Sequence, residues 1–311
     1  MVKYILKRVG YSIVTLFVLI TITFFLMQLL PGDPFTGEKK IPEAIMANMM
    51  AKYGLDKPVW QQYLLYIGNV LQGDLGVSIT YNRSINLMIS ESFFVSASLG
   101  IRSVIFAFIG GVLLGTLAAL NRGKFWDSLT MFVAIVGVSV PSFVMASLLQ
   151  YFLGLKLFQA TGLRLFAVSG WGAFNQSLLP VFALGLGTLA SISRLTRTSM
   201  LDVLGQDYIK TAKAKGLGQS AIILKHALRN AIMPVVTILG PTIAGLLTGG
   251  FVVESVFSIP GLGRYFVQSV QNHDYTMIAG STIFYGAFLI IMNLVVDIAY
   301  CFIDPRVKLE G

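Results

Sequence analysis

Leu99–Leu120, LGIRSVIFAFIGGVLLGTLAAL, and Leu129–Leu153, LTMFVAIVGVSVPSFVMASLLQYFL, decide the fold. Each is a run of mainly apolar residues long enough to cross a bilayer as a helix, which takes about 20 residues. Between them, Arg122 and Lys124 sit in a polar break. Working outward, four more runs satisfy the same criterion in whole or part: 9–30, 178–193, 231–250 and 278–303. Residues 178–193 make the weakest span, because they are few and hold glycines. The reading is an all-α polytopic membrane protein of six helices in one transmembrane domain, 1–311.

Composition agrees. Of 311 residues, 55% are hydrophobic and 12% charged, against about 25% charged in ordinary soluble domains. The net charge of +9 reads as membrane topology rather than nucleic-acid binding, because the charges fall between the apolar runs. With the N-terminus in the cytoplasm, the inner segments hold 14 of the 23 Lys and Arg and the outer ones 8, with Arg102 at the outer end of the second span. That places both termini inside. Lys3, Lys7 and Arg8 precede the first run, but the run is too long for a signal core and ends in Pro31-Gly-Asp-Pro34, so it is expected to be retained.

Two polar stretches stand out. The outer segment 31–92 contains an amphipathic piece, Val59–Val70, suited to the membrane surface or to packing as a small helix. The inner segment 194–230 is basic and helix-favouring, broken by Gly216-Leu217-Gly218. Gly205 or Asp207 starts a helix there. The glycines end it with the positive φ they allow, and Ser220 caps a second helix. Small residues at Ala212 and Ala214 leave room for a partner to approach. A merely solvated basic loop is the plainer reading of the same residues.

No phosphate-binding loop, no His/Cys set with metal-ligand spacing and no nucleophile–base pair is found in the sequence. The chain is therefore expected to carry neither catalytic site, metal nor cofactor.

Asp207-Tyr-Ile-Lys-Thr-Ala-Lys-Ala-Lys-Gly-Leu217, followed by His226-Ala-Leu-Arg-Asn-Ala231 and Pro234, resembles the EAA loop of ABC-importer permeases. The resemblance runs along the chain: Lys3-Tyr-Ile-Leu-Lys-Arg8, Pro31-Gly-Asp-Pro34, Tyr53-Gly-Leu-Asp-Lys-Pro58, Gly73-Asp-Leu-Gly76, Ser139-Val-Pro-Ser-Phe143, Ile259-Pro-Gly-Leu-Gly-Arg264, Asp274-Tyr-Thr276 and Asp304-Pro-Arg306. It is most similar to the dipeptide/oligopeptide/nickel branch, and within it to the B-type oligopeptide permease subunits. Gly216 and Ala212 match the general pattern. Lys210 stands where that pattern has glutamate, Thr211 where it has its first alanine, and His226 where it has isoleucine. The departure at Lys210 withdraws the acid through which other permeases would make a salt bridge.

The resemblance implies a type I importer permease in the bacterial cytoplasmic membrane. Its partners would be a homologous second permease, two ATP-binding cassette ATPases carrying ATP and Mg, and an extracytoplasmic peptide-binding protein. Asp207, Tyr208, Lys210, Thr211, Ala212, Lys213, Ala214, Lys215, Gly216, Leu217 and His226 would dock on an ATPase and transmit its stroke by rigid-body alternating access. Ser139, Pro141, Ser142 and Gln150 are candidate pore residues, with packing against a neighbouring helix the competing reading. Arg264 and Tyr265, in the glycine-rich piece 255–266, are candidate contacts for the binding protein. Asp297, an acid within the last span, is expected near the inner interface, and Arg102 is expected to reach the outer headgroups. Permeases for dipeptides, nickel or glycosides are the alternatives inside the family. A self-contained secondary transporter would need more spans and inverted repeats, and an intramembrane enzyme would need a catalytic set.

Overall fold

The computed structural model describes residues 2–29, 57–248 and 250–303, less the side chains of 2–5, 297 and 299–303. The motifs at 31–34 and 304–306 and the side chains of Asp297 and Cys301 lie outside that set. The described residues are helical apart from turns, bends and one isolated bridge, Val77 to Ser84. Among the described residues, five helices are long and apolar enough to cross a membrane, and a bent pair makes a sixth where its two halves are counted as one span.

The chain divides into two compact units, residues 1–95 with 261–311, and residues 96–260. In the first, α1 (Val2–Leu29) packs along α12 (Tyr275–Ile303). The amphipathic piece forms α2 (Val59–Leu71). It lies on α1, with Tyr63 and Tyr66 against Phe24 at ring distances of 5.4 and 5.3 Å. Thr21 and Tyr63 share a hydroxyl hydrogen bond of 2.7 Å, and Gln28 donates to Gln62 at 2.9 Å. The piece thus packs on α1 as a small helix, and none of its residues is fully buried. Phe93, near the start of α3 (Ile85–Leu120), meets Phe284 and Phe288 of α12. The short helix α11 (Leu262–Gln271) leads into α12.

The second unit is built around α6 (Phe174–Leu204). The expected short span at 178–193 is therefore a 31-residue helix, about 46 Å long at 1.5 Å per residue. Ser193, Arg194 and Arg197, which ended the apolar count, continue the helix, because length is set by backbone hydrogen bonding and not by apolarity. The α3 helix approaches α6 so closely that a Cβ at Gly115 would collide with the Ser193 carbonyl and the Thr196 side chain. Small residues permit such contact between helices where water supplies no hydrophobic force.

The run 129–153 is not one helix. α4 (Phe125–Ser139) stops and α5 (Ser142–Thr161) begins after an extended Val140 at φ −90°, ψ 121°. Pro141 cannot donate to the carbonyl four residues back and disfavours helix at Val140, so the run is broken there. Within α5, Gln150–Lys156 is π-helical. The run 231–250 belongs to a bent pair, α8 (Gln219–Ala231) and α9 (Met233–Leu247), which meet at 53°. Pro234 in the first turn of α9 accounts for the new start. Between α6 and α8 lies α7 (Asp207–Ala214), and α9 is followed by the short α10 (Phe251–Val256).

Candidate functional site

The elbow after α6 is a turn with its own lock. α6 ends at Leu204, Gly205 is its C-cap with φ −80°, and Gln206 is the N-cap of α7. Of the two expected helix starts, Asp207 is the observed one. Lys210 Nζ reaches back to Asp207 Oδ1 at 2.8 Å, one turn along an exposed face. The helix terminates through paired bonds: the Gly216 N–H donates to the Lys213 carbonyl at 2.9 Å, and the Leu217 N–H donates to the Ala212 carbonyl at 3.3 Å. This Schellman arrangement requires a left-handed residue at its corner, and Gly216 supplies φ +75°. Gly218 then turns the chain into α8 in the cap position, so the expected cap, Ser220, lies inside the first turn.

One face of the elbow is core. Ile209 and Ala212 are buried in a cluster with Ala119, Met200, Ile222, Ala227 and Ala231. Ala212 thus packs on its own chain and is not the open position for a partner expected above. In α7, residues 209 and 212 share a face by their spacing of three. Asp207, Tyr208, Lys210, Thr211, Lys213, Ala214, Lys215, Gly216 and Leu217 remain exposed, with Leu217 at 42% the large apolar group of the tip. His226 is half-buried in the π-helical stretch Ile222–Ala227. Its carbonyl accepts a bond from Asn230 Nδ2, which also donates to the Tyr208 hydroxyl at 3.0 Å. The two arms of the elbow are therefore cross-linked through Tyr208 and Asn230. A rigid, cationic knob with one apolar tip results, and such a shape can seat in a groove and transmit force.

The break at Val140–Pro141 leaves Ser139, Pro141 and Ser142 exposed. Packing against a neighbouring helix of this chain, the competing reading, does not cover them. Gln150 differs from expectation. Its Nε2 donates to the Val168 carbonyl at 2.8 Å and the Val256 carbonyl at 3.0 Å, so the amide ties α5 to a loop and to α10 and is not a free pore group. Arg102 is exposed and carries its guanidinium 5.1 Å from the Trp171 ring centre.

In the first unit, Asp274 is a fully buried knot. Its carboxylate accepts from Ser78 Oγ (2.5 Å), the Thr80 N–H (3.1 Å), the Ile79 N–H (3.3 Å), Thr276 Oγ1 (3.0 Å) and the Met277 N–H (3.0 Å). It caps α12 and gathers the 76–80 loop at once. That loop carries Tyr81, whose hydroxyl donates to Gln268 Oε1 at 2.7 Å and whose ring meets Tyr265 edge-on at 5.4 Å. Burial, and next Tyr265, push the Tyr81 hydroxyl above its ordinary value, so it stays protonated as the donor. Arg264 and Tyr265 are half-buried beside this loop, on α11. The glycine-rich piece 255–266 is thus the end of α10, a turn with Ser258 at φ +54°, and the start of α11.

Two constellations escaped the sequence reading: Asp274 with Ser78, and an ion pair of Asp127 with Arg197. An aspartate just before a long apolar run is a legible helix cap. Nothing in the sequence couples it to Ser78, or joins Asp127 to a residue 70 positions away. Among the described residues, no group of three or more His, Cys, Asp or Glu is placed to hold a metal ion.

A family model described as binding-protein-dependent transport system inner membrane component matches residues 111–309, and the model for the N-terminal membrane component of such systems matches residues 1–99. The dipeptide transport system permease protein DppB of Bacillus subtilis (strain 168) is 46% identical over 312 residues, covering 100% of this chain and 99% of its own. The oligopeptide transport system permease protein OppB of Haemophilus influenzae is 45% identical, over 99% of this chain and 100% of its own, and that of Escherichia coli (strain K12) is 43% identical over the same shares. Among solved structures, a chain of an amino acid ABC transporter with histidines is similar at a TM-score of 0.50 and 16% identity, over 71% of this chain and 94% of its own. That likeness speaks for the fold.

Proposed function

The chain belongs to the inner-membrane components of binding-protein-dependent transport systems, and from that premise we propose that it forms half of the pore of an ATP-driven importer of di- or oligopeptides. It is an integral multi-pass permease of the inner membrane. The observation that carries the coupling role is the elbow: Gly216 locks a turn whose inner face, Ile209 and Ala212, is anchored in the core while Leu217 and the lysines stay exposed. A lever must be stiff where it joins the machine and open where it is pushed. In this reading the elbow faces the cytoplasm and docks on an ATP-binding cassette ATPase, which holds the ATP and Mg. A homologous permease completes the pore, and an extracytoplasmic binding protein delivers the substrate. Peptide as substrate is supported by the names of the full-length relatives.

Within the pore, Ser139, Pro141 and Ser142 are assigned to meet peptide backbone, because they are exposed at a helix break amid apolar sequence. Proline leaves carbonyls of the preceding turn without helical donors, and two hydroxyls flank them. Arg264 and Tyr265 are assigned to contact the binding protein. Binding-protein affinity unchanged by Arg264→Ala and Tyr265→Ala together would remove that assignment.

The central test is purification of the tagged chain from its native membrane in mild detergent, with all retained proteins identified, for the wild type and for Gly216→Asp. Wild type is expected to retain a second permease and ATPase subunits. The variant is expected to keep the permease and lose the ATPases. A chain that comes down alone would overturn the assembly.

A further inference from the structure

We propose that the Asp127–Arg197 ion pair is a strut that makes α4 travel with α6, so that motion delivered to the elbow reaches the Val140–Pro141 break. The inference rests on the coupling role just proposed, and all the residues it uses lie in the second unit.

Arg197 Nε donates to Asp127 Oδ1 at 2.5 Å and its Nη2 to Oδ2 at 2.8 Å, while the Gly123 N–H donates to Oδ2 at 2.9 Å. The Asp127 side chain is 8% exposed and that of Arg197 24%. A guanidinium fork on a carboxylate fixes both distance and orientation, which a point charge does not. The rest of the α4 contact face is small: Thr130, Ala134 and Gly137 are its other buried residues, spaced along one side. At the far end Gly137 lies against α6, where an added Cβ would stand 3.0 Å from the Ala190 Cβ and 3.1 Å from the Leu186 carbonyl. Side chains that small let the two backbones approach closely, but they present no large knob to stop one helix sliding along the other. The ion pair therefore sets the register of α4 on α6.

Its position is what gives it a role. From Arg197, α6 runs on to Leu204, and Met200 joins Ile209 and Ala212 in the core of the elbow. Elbow and α6 are thus one packed body. From Asp127, α4 runs about 18 Å to Ser139 at 1.5 Å per residue, where the helix stops and the exposed Ser139–Pro141–Ser142 segment begins. The pair bridges these two paths at the elbow end of both helices, so a displacement of α6 is passed to α4 without slip. Arg197 and Asp127 are positioning residues in this account, since neither faces the break.

The experiment uses the complete importer reconstituted in vesicles with its binding protein and a transported peptide. Peptide uptake per ATP hydrolysed is measured for wild type, Arg197→Lys and Asp127→Asn. Arg197→Lys keeps the charge and loses the fork. It is expected to lower uptake per ATP several-fold, with ATP hydrolysis and the yield of assembled complex unchanged. An unchanged ratio overturns the strut. Spin labels at the exposed positions Phe132 and Thr198 read the α4–α6 distance directly, and this arm stands even if Asp127→Asn fails to assemble. A wild-type distance that is the same in nucleotide-free and ATP-trapped states supports the strut, and one that changes overturns it. A wild-type complex that takes up no peptide would instead overturn the function proposed above.

Discussion

Gly216 offers the sharpest quantitative test, because its cost of substitution is purely conformational. Its φ is +75°, and a Cβ built on it meets nothing within 4 Å. No clash contributes, so Gly216→Ala should cost what an L-residue pays for the left-handed region, about 1–2 kcal/mol. Where alanine lets the undocked elbow relax out of this turn, docking must restore it and the ATPase affinity falls by up to that amount, roughly 5- to 30-fold. Asparagine tolerates this region and should lose less, whereas valine, stiff and branched, should lose more. Gly218→Ala is the control. Gly218 sits at φ −62° with nothing near its Cβ, and alanine there should change affinity by less than about twofold, a few tenths of a kcal/mol. The assay is titration of ATPase onto the permease pair in nanodiscs, read as a dissociation constant. Equal affinities for glycine, alanine and valine at 216 would refute the reasoning, since the turn would then be dispensable to docking.

Two further outcomes follow from the hydrogen-bond geometry. Asp274→Asn replaces a carboxylate oxygen with an NH2 group that cannot accept from its donors. It should cost about 3 kcal/mol, read as a fall in melting temperature on the order of 5–10 °C in detergent; a shift under about 1 °C would mean that the knot does not hold the 76–80 loop. Gln150→Ala leaves the Val168 and Val256 carbonyls without their amide donor and should destabilise by about 1–2 kcal/mol while leaving peptide-length preference in competition uptake unchanged. An altered preference at full stability would return Gln150 to the pore.

Much of the architecture is legible in the sequence alone. Long apolar runs broken by basic residues can only be helices in a bilayer, because lipid offers no partner to an unpaired backbone group. The turn at Gly216 was readable too, since a glycine between a helix-favouring run and a new amphipathic stretch has one economical conformation. The proline at 141 announced a disturbance, but kink and break share one sequence. Which of them forms depends on how Gly137, Leu186 and Ala190 hold α4, and those residues meet only after folding.

The sequence by itself determined the membrane class, the family, the number of apolar segments and the place of the elbow, because each depends on composition or on residues within a few positions of one another. The tertiary structure decided which face of the elbow is buried, so that Ala212 points into the core while Leu217 stays out. It also decided that Gln150 is committed to backbone carbonyls, and that Asp127 finds Arg197 and Asp274 finds Ser78. These pairs stand 70 and 196 residues apart. Burial and pairing are properties of two partners at once, and a linear chain names the groups without saying which of them will meet.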